Sequence, residues 1–354
     1  MPLTTFLNRR AASIDTGTHR VTVLAGGGHV AEILDKASGV NPLWTPPWPT
    51  TDPSSGAANS PAYGSEAEAR MLAGITGHNL CMDIYGDPSV EEIAAGLTLH
   101  GEASVVTYQL TAESGTLLSK AELPLAQLGI ERELRLQPDS PVIRFSETVE
   151  NLSGTDRPIA WTEHVTVGPP FLEKGVTRFC LTATRSKTFE GEFGDTYQID
   201  TEFDWPYAPR QGGGTIDLRT FTDAPSSSGL TTHLMDPRRL QAYFVAWSPR
   251  SKLAFGYVWN RSDFPWLGIW EENYWRQAPP WSGKTLTRGM EFGVSPMPQT
   301  RRRMIGREPL FGVPGYRWIP ARSRVRVDYC AFLTHAEKPP DDVTWDGGWQ
   351  LMLK

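Results

Sequence analysis

Cysteine is scarce in this chain: Cys81, Cys180 and Cys330 are the only three. They are widely spaced and odd in number, with no C-x-x-C pair, which excludes a disulfide framework and a cysteine zinc site. No H-E-x-x-H or H-x-H pattern supplies a metal by other ligands, and no G-x-S-x-G elbow supplies a serine nucleophile. Uninterrupted apolar runs near 18 residues are missing, so no membrane-spanning helix is expected. The N-terminal MPLTTFLNRRAASIDTG carries no apolar stretch behind its charges and does not read as a signal peptide, making the cytoplasm the expected compartment. Basic excess is lacking too. Lys and Arg number 34 against 40 Asp and Glu, a formal charge of -6, which argues against nucleic acid or an anionic membrane as partner. Arg301-Arg302-Arg303 is an isolated basic cluster, read as a solvated loop.

Helical periodicity is also sparse. Alternation at period two dominates instead, in Arg20–Val23, Glu131–Leu136, Val142–Val149 and Arg322–Phe332. Turn clusters such as Asn151-Leu152-Ser153-Gly154 and Gly212-Gly213-Gly214 separate these runs. The pattern predicts an all-β fold, a large antiparallel β-sandwich. Short helices are expected over Ser65–Leu72 and Ser89–Ala95, the second capped by Ser89 with Glu91 and Glu92 in its first turn. Residues 45–64, TPPWPTTDPSSGAANSPAYG, read as a surface loop or flap bordering a binding cleft. Strands of one character lie on both sides, so residues 1–354 are expected to form a single domain. With 39% hydrophobic residues the chain can bury a sizeable core. Gly26-Gly27-Gly28-His29-Val30-Ala31 fits G-x-G-x-x-A, yet no βαβ pattern follows; a tight turn between strands accounts for it better than a nucleotide site. Thirteen tryptophans are present, six of them between Trp247 and Trp281. Core packing explains most, with one or two left to line a site.

Three segments carry polar groups where chemistry could sit. In Gly289-Met290-Glu291-Phe292-Gly293 a strand would turn Met290 and Phe292 to the core and Glu291 to the other face. Glycines on both sides leave a hollow beside the carboxylate; a solvent-facing Glu in an edge strand fits the same pattern. His164 shares a strand face with Thr162 and Thr166, as a structural or a functional histidine. In Leu97–Ala103 alternation groups Thr98, His100 and Glu102 on one face, either solvated or at a site. Glu271 and Glu272, beside Trp270 and Trp275, compete with Glu291.

Taken together, NLSGTDRPIAWTEHVTVGPPFL at Asn151–Leu172, the His100-Gly101 pair and Phe264-Pro265-Trp266-Leu267-Gly268-Ile269-Trp270 ahead of Glu291 resemble the aldose 1-epimerases (galactose mutarotases). The likeness extends from the Gly26 turn to the last alternating strand. It loosens after His164, where the family's His-Pro-Tyr-Phe-like run is missing, and after Glu291, where Phe292 stands for the family's proline. The resemblance implies a galactose mutarotase-like sandwich that opens and recloses a sugar ring without metal or cofactor. Glu291 would be the base, His164 the acid and His100 a contact to the ring oxygen or a hydroxyl. Acid and base would lie within about 8 Å of each other, with room for one sugar ring between them. His78, Arg70, Asp83, Trp270 and Glu272 would contact the substrate, with Arg70 standing where the family's Asn-Arg-Ile arginine is expected. The implied partner is a monosaccharide or sugar derivative, the oligomeric state open. A non-catalytic sugar-binding protein is the alternative reading. A polysaccharide lyase or glycosidase, pairing Glu271 or Glu272 with Glu291, is the third.

Overall fold

A computed structural model describes residues 4–354. Two antiparallel sheets, of twelve and eight strands, face each other across the core. Four long neighbours form the middle of the larger sheet, in the order His78–Asp83, Arg157–Val167, Leu286–Gly293 and Trp266–Asn273. The smaller sheet runs from Arg178–Leu181 through Gln241–Ser248, Leu253–Asn260, Arg324–His335 and Val142–Asn151 to the hairpins ending at Gln109–Glu113. This is the large antiparallel sandwich expected from the alternation. Among the described residues no helix is long and apolar enough to cross a membrane.

Alternation is legible in the packing. On Leu286–Gly293 the side chains of Met290 and Phe292 enter the inter-sheet core, where Phe292 stacks on Trp259 with ring centres 4.3 Å apart. Trp161 and Val165 of Arg157–Val167 enter the same core, and Phe145 stacks on Tyr329 at 4.8 Å. The Gly26 turn joins His19–Leu24 to Val30–Asp35, with Gly27 and Gly28 at positive φ, as a hairpin connection requires.

Several local expectations change. The helix near Ser65 is Ala69–Gly74, while Val90–Ala94 carries the capping box between Ser89 and Glu92. Arg301-Arg302-Arg303 opens a short helix, Arg301–Gly306, instead of a solvated loop; Arg301 pairs with Asp83, and with Glu92 at 2.6 Å. The buried carboxylate of Asp83 and the half-buried one of Glu92, on neighbouring elements, explain that tethering. Leu97–Ala103 forms turns, not a strand, with His100 itself at φ +66°. Residues 45–64 hold two single-turn helices and plant Trp48 under the Ala69–Gly74 helix, its indole N–H donating to the Leu72 carbonyl at 2.9 Å.

Glu163 points into the core with Trp161 and Val165, where an unpaired charge would be costly. Arg132 answers it at 2.8 Å and also pairs with Glu147. His78 donates Nε2–H to Glu163 at 2.8 Å and accepts from the Tyr257 hydroxyl at 3.0 Å. Tyr329 and Trp161 donate to the same carboxylates. Two acids thus share one arginine. Burial pushes Glu147 up to about 7, against the pull of Arg132 and with a push from Glu163. Its folded value exceeds the unfolded one, so this stabilisation is complete below about pH 4.5 and disappears as pH rises through about 7. Glu147→Gln should therefore flatten the dependence of stability on pH across that window, read as urea midpoints at about pH 5 and about pH 8. A slope equal to wild type would remove Glu147 as its source.

Candidate active site

His164 and Glu291 are register partners on adjacent strands, so their side chains leave the sheet side by side on the face away from the core. His164 Nε2 lies 3.0 Å from Glu291 Oε1, and the Tyr85 hydroxyl donates to Glu291 Oε2. His164 Nδ1 meets the Thr166 hydroxyl at 3.1 Å. His100 arrives from its turn, its ring centre 5.3 Å from that of His164, and donates Nδ1–H to the Tyr85 carbonyl at 2.6 Å. A carbonyl can only accept, which fixes that tautomer and leaves His100 Nε2 as an acceptor.

Two glycines make this packing possible. A Cβ at Gly289 would collide with the Glu291 carboxylate, and one at Gly268, directly across the ladder, would sit 2.8 Å from the Tyr85 hydroxyl. The hollow expected beside Glu291 is thus filled by the carboxylate and its own hydrogen-bond donor.

Above the pair opens a cavity of about 250 Å³, with Tyr85, His100, His164, Trp270, Arg276, Trp281 and Glu291 in its wall. Trp270 and Trp281 meet edge to face at 5.9 Å, and Trp48 and Trp44 back Trp281. A larger groove of about 610 Å³ beside Arg302 and Phe311 is open to solvent. Within it Arg307 pairs with Glu190 at 2.5 Å and Arg185 with Glu202 at 3.1 Å.

Electrostatics separate the titratable groups. Burial pulls the Glu291 carboxyl up, but the charge of His164 beside it, the Tyr85 hydroxyl and His100 outweigh it, leaving it below the usual carboxylate value. Burial, with the neighbouring Glu291 charge, holds the Tyr85 hydroxyl protonated far above its ordinary range. His100 is pushed down to about 4 by burial and by His164. The site therefore rests with an ionised carboxylate, a fixed phenol donor and a neutral His100.

Of the residues singled out in the sequence, Glu291, His164, His100 and Trp270 come together here. The others lie elsewhere. His78 and Asp83 are five residues apart on one strand and so point to opposite faces; His78 enters the inter-sheet ion cluster, and Asp83 is taken up by Arg157 and Arg301. Arg70 donates to the Pro53 carbonyl at 3.2 Å, outside the cavity wall. Glu272 accepts from the backbone N–H groups of Trp275 and Arg276 at 2.8 and 2.9 Å. Glu271 pairs with Arg288 on the core side. Neither acid lines the cavity, so the pairing of Glu271 or Glu272 with Glu291 expected of a glycosidase is not formed. The 45–64 segment backs the wall through Trp48 and contributes no lining residue.

Tyr85 and Arg276 line the cavity without having been singled out. Tyr85 stands two residues past Asp83, in a segment already under suspicion; Arg276 follows Trp275 and falls four residues after Glu272. Neither lies in a regular strand, so alternation gave no sign of its direction.

Comparison with solved structures agrees with this architecture. A candidate aldose 1-epimerase from Klebsiella pneumoniae superposes with a TM-score of 0.66 over 93% of this chain and 80% of its own, at 15% identity. The fold is that of the galactose mutarotase-like proteins. A second candidate aldose 1-epimerase, from Escherichia coli K12, gives 0.61 at 12% identity over 92% and 99% of the two chains. A galactose mutarotase-like protein from Clostridium acetobutylicum gives 0.61 at 11% over 94% and 98%. No family model and no curated protein matches the sequence, so the likeness to the galactose mutarotase-like proteins is one of fold.

The charge state of His100 can be tested directly. Its ring resonances should show no titration between about pH 5.5 and pH 8 in NMR spectra, because burial holds it neutral there. A midpoint near the ordinary histidine value would contradict the site's electrostatics.

Proposed function

We propose that the protein is an aldose 1-epimerase-like isomerase that interconverts the anomers of a sugar by acid–base opening of its ring. The pairing of His164 and Glu291 at the floor of a monosaccharide-sized cavity carries this reading. Mutarotation needs a proton removed from the anomeric hydroxyl and one delivered to the ring oxygen. Both oxygens are bonded to the same carbon, so acid and base must stand side by side. The 3.0 Å separation suits the geminal geometry.

In this mechanism Glu291, kept ionised by its neighbours, accepts the anomeric proton, while protonated His164 donates Nε2–H to the ring oxygen. The C1–O5 bond breaks as the C1–O1 bond becomes a carbonyl. Rotation about C1–C2 and reclosure on the other carbonyl face then return both protons. Tyr85 steadies the carboxylate, and His100 Nε2 accepts a sugar hydroxyl. That assignment differs from a donor to the ring oxygen, because its N–H is committed to the Tyr85 carbonyl. Trp270 and Trp281 offer apolar surface to the C–H face of the ring. His164 and Glu291 supply the proton transfers themselves.

Polarimetry on freshly dissolved α-glucose and α-galactose is the test. The protein should accelerate the approach to rotational equilibrium, and Glu291→Gln should reduce the rate by about 10²–10⁴-fold while sugar still binds. His164→Gln should lose rate over a similar range, whereas Glu272→Gln should act mainly on binding. No acceleration over buffer across a broad panel of aldoses would falsify the isomerase reading.

A further inference from the structure

Arg276 is the one arginine or lysine among the described residues that line the cavity. Its guanidinium stands against three aromatic rings, 4.7 Å from the centre of Trp281, 5.2 Å from Phe193 and 5.7 Å from Trp270. Glu272 anchors it twice: Oε2 lies 3.3 Å from Arg276 Nε, and Oε1 accepts the backbone N–H of Arg276 at 2.9 Å. Among the described residues the terminal guanidinium nitrogens have no hydrogen-bond acceptor, although each carries N–H groups. In the same wall the buried Trp270 indole N–H has no acceptor either. Unspent donors in a cavity wall call for acceptor oxygens on whatever enters.

The charge balance narrows the class. Glu272 already compensates Arg276. Glu68, Asp87 and Glu192 also line the cavity, and among the described residues none of them forms a salt bridge. Burial and the field of Glu68 hold the Asp87 carboxyl above its ordinary value.

We infer that Arg276, held by Glu272, grips the hydroxyl oxygens of an uncharged monosaccharide, and that the acidic mouth turns away phosphorylated or carboxylated sugars. Glu272 is then a positioning residue, not a base. The inference rests on the isomerase reading only in requiring that a sugar enters this cavity.

Calorimetric titration with glucose, galactose, glucose 6-phosphate and glucuronate tests it on the intact protein. Neutral sugars should bind and the two anions should bind at least about tenfold more weakly, with the gap narrowing at high salt. Arg276→Met should weaken neutral-sugar binding by about ten- to a hundredfold, the range for hydrogen bonds to a charged group. It should raise KM more than it lowers kcat. Arg276→Lys, which keeps charge and stem, should recover part of the loss, and thermal melts show whether either variant stays folded. Glu272→Gln should shift KM the same way and add little to Arg276→Met, since the two act as one unit. Replacing Glu68, Asp87 and Glu192 together by amides should narrow the gap between neutral and anionic sugars. An anion binding more tightly than the neutral sugars, or a folded Arg276→Met of unchanged affinity, overturns this inference and leaves the isomerase reading standing. Neutral sugars that bind without mutarotation do the reverse. Binding of neither class overturns both.

Discussion

Arg157–Val167 is buried along most of its length on both faces, and most of the molecule's chemistry follows from that constraint. Consecutive residues of a strand point to opposite sides, so Glu163 and His164 are driven into different environments although one peptide bond joins them. Glu163 enters the space between the sheets, where burial obliges the chain to supply Arg132, His78 and two tyrosines. His164 enters the outer cavity, where the adjacent strand supplies Glu291. A one-residue slip would exchange the two faces, take Glu163 away from Arg132 and His78, and turn it to the outer face beside Glu291. The inter-sheet ion cluster therefore helps hold the register that places His164 against Glu291.

The cavity is built less from the sheet than from what is laid on it. The central strands contribute a floor of His164, Glu291 and Trp270. Its walls come from irregular segments: the Tyr85–Asp87 stretch, the turn carrying His100, the Ala69–Gly74 helix and the loop with Arg276 and Trp281. A rigid floor with walls drawn from loops is a common way for one scaffold to serve several ligands. It also reconciles a shared fold with sequence identities near 11–15%. Ladder hydrogen bonds tolerate almost any apolar side chain, whereas wall residues change with the ligand.

Two glycines show how the floor is tuned. Gly289 and Gly268 lie on adjacent strands beside Glu291, and each yields space to a side chain of the site. Strand glycine costs stability. Here the space goes to a carboxylate and a phenol in direct contact; the charge of His164, helped by that phenol, keeps the carboxylate ionised despite its burial.

The amino-acid sequence by itself determined the fold class, because period-two alternation broken by turn residues reports which side of a sheet each residue faces. It determined the direction of Glu291 and His164 for the same reason, since both lie inside strands. It also determined the Ser89 cap, whose signal is local. The tertiary structure alone decided which of the other polar residues meet that pair. His78 follows the strand parity but lands on the core side; Asp83, Arg70 and Glu272 are taken up by partners that sequence spacing does not reveal. His100 reaches the site through a left-handed turn that alternation misread as a strand. Tyr85 and Arg276 sit in irregular backbone, whose course is set by long-range packing against Trp281, Phe193 and Glu291. Periodicity is a property of neighbours along the chain. Convergence on a cavity depends on neighbours in space, and these groups are separated by up to about two hundred residues.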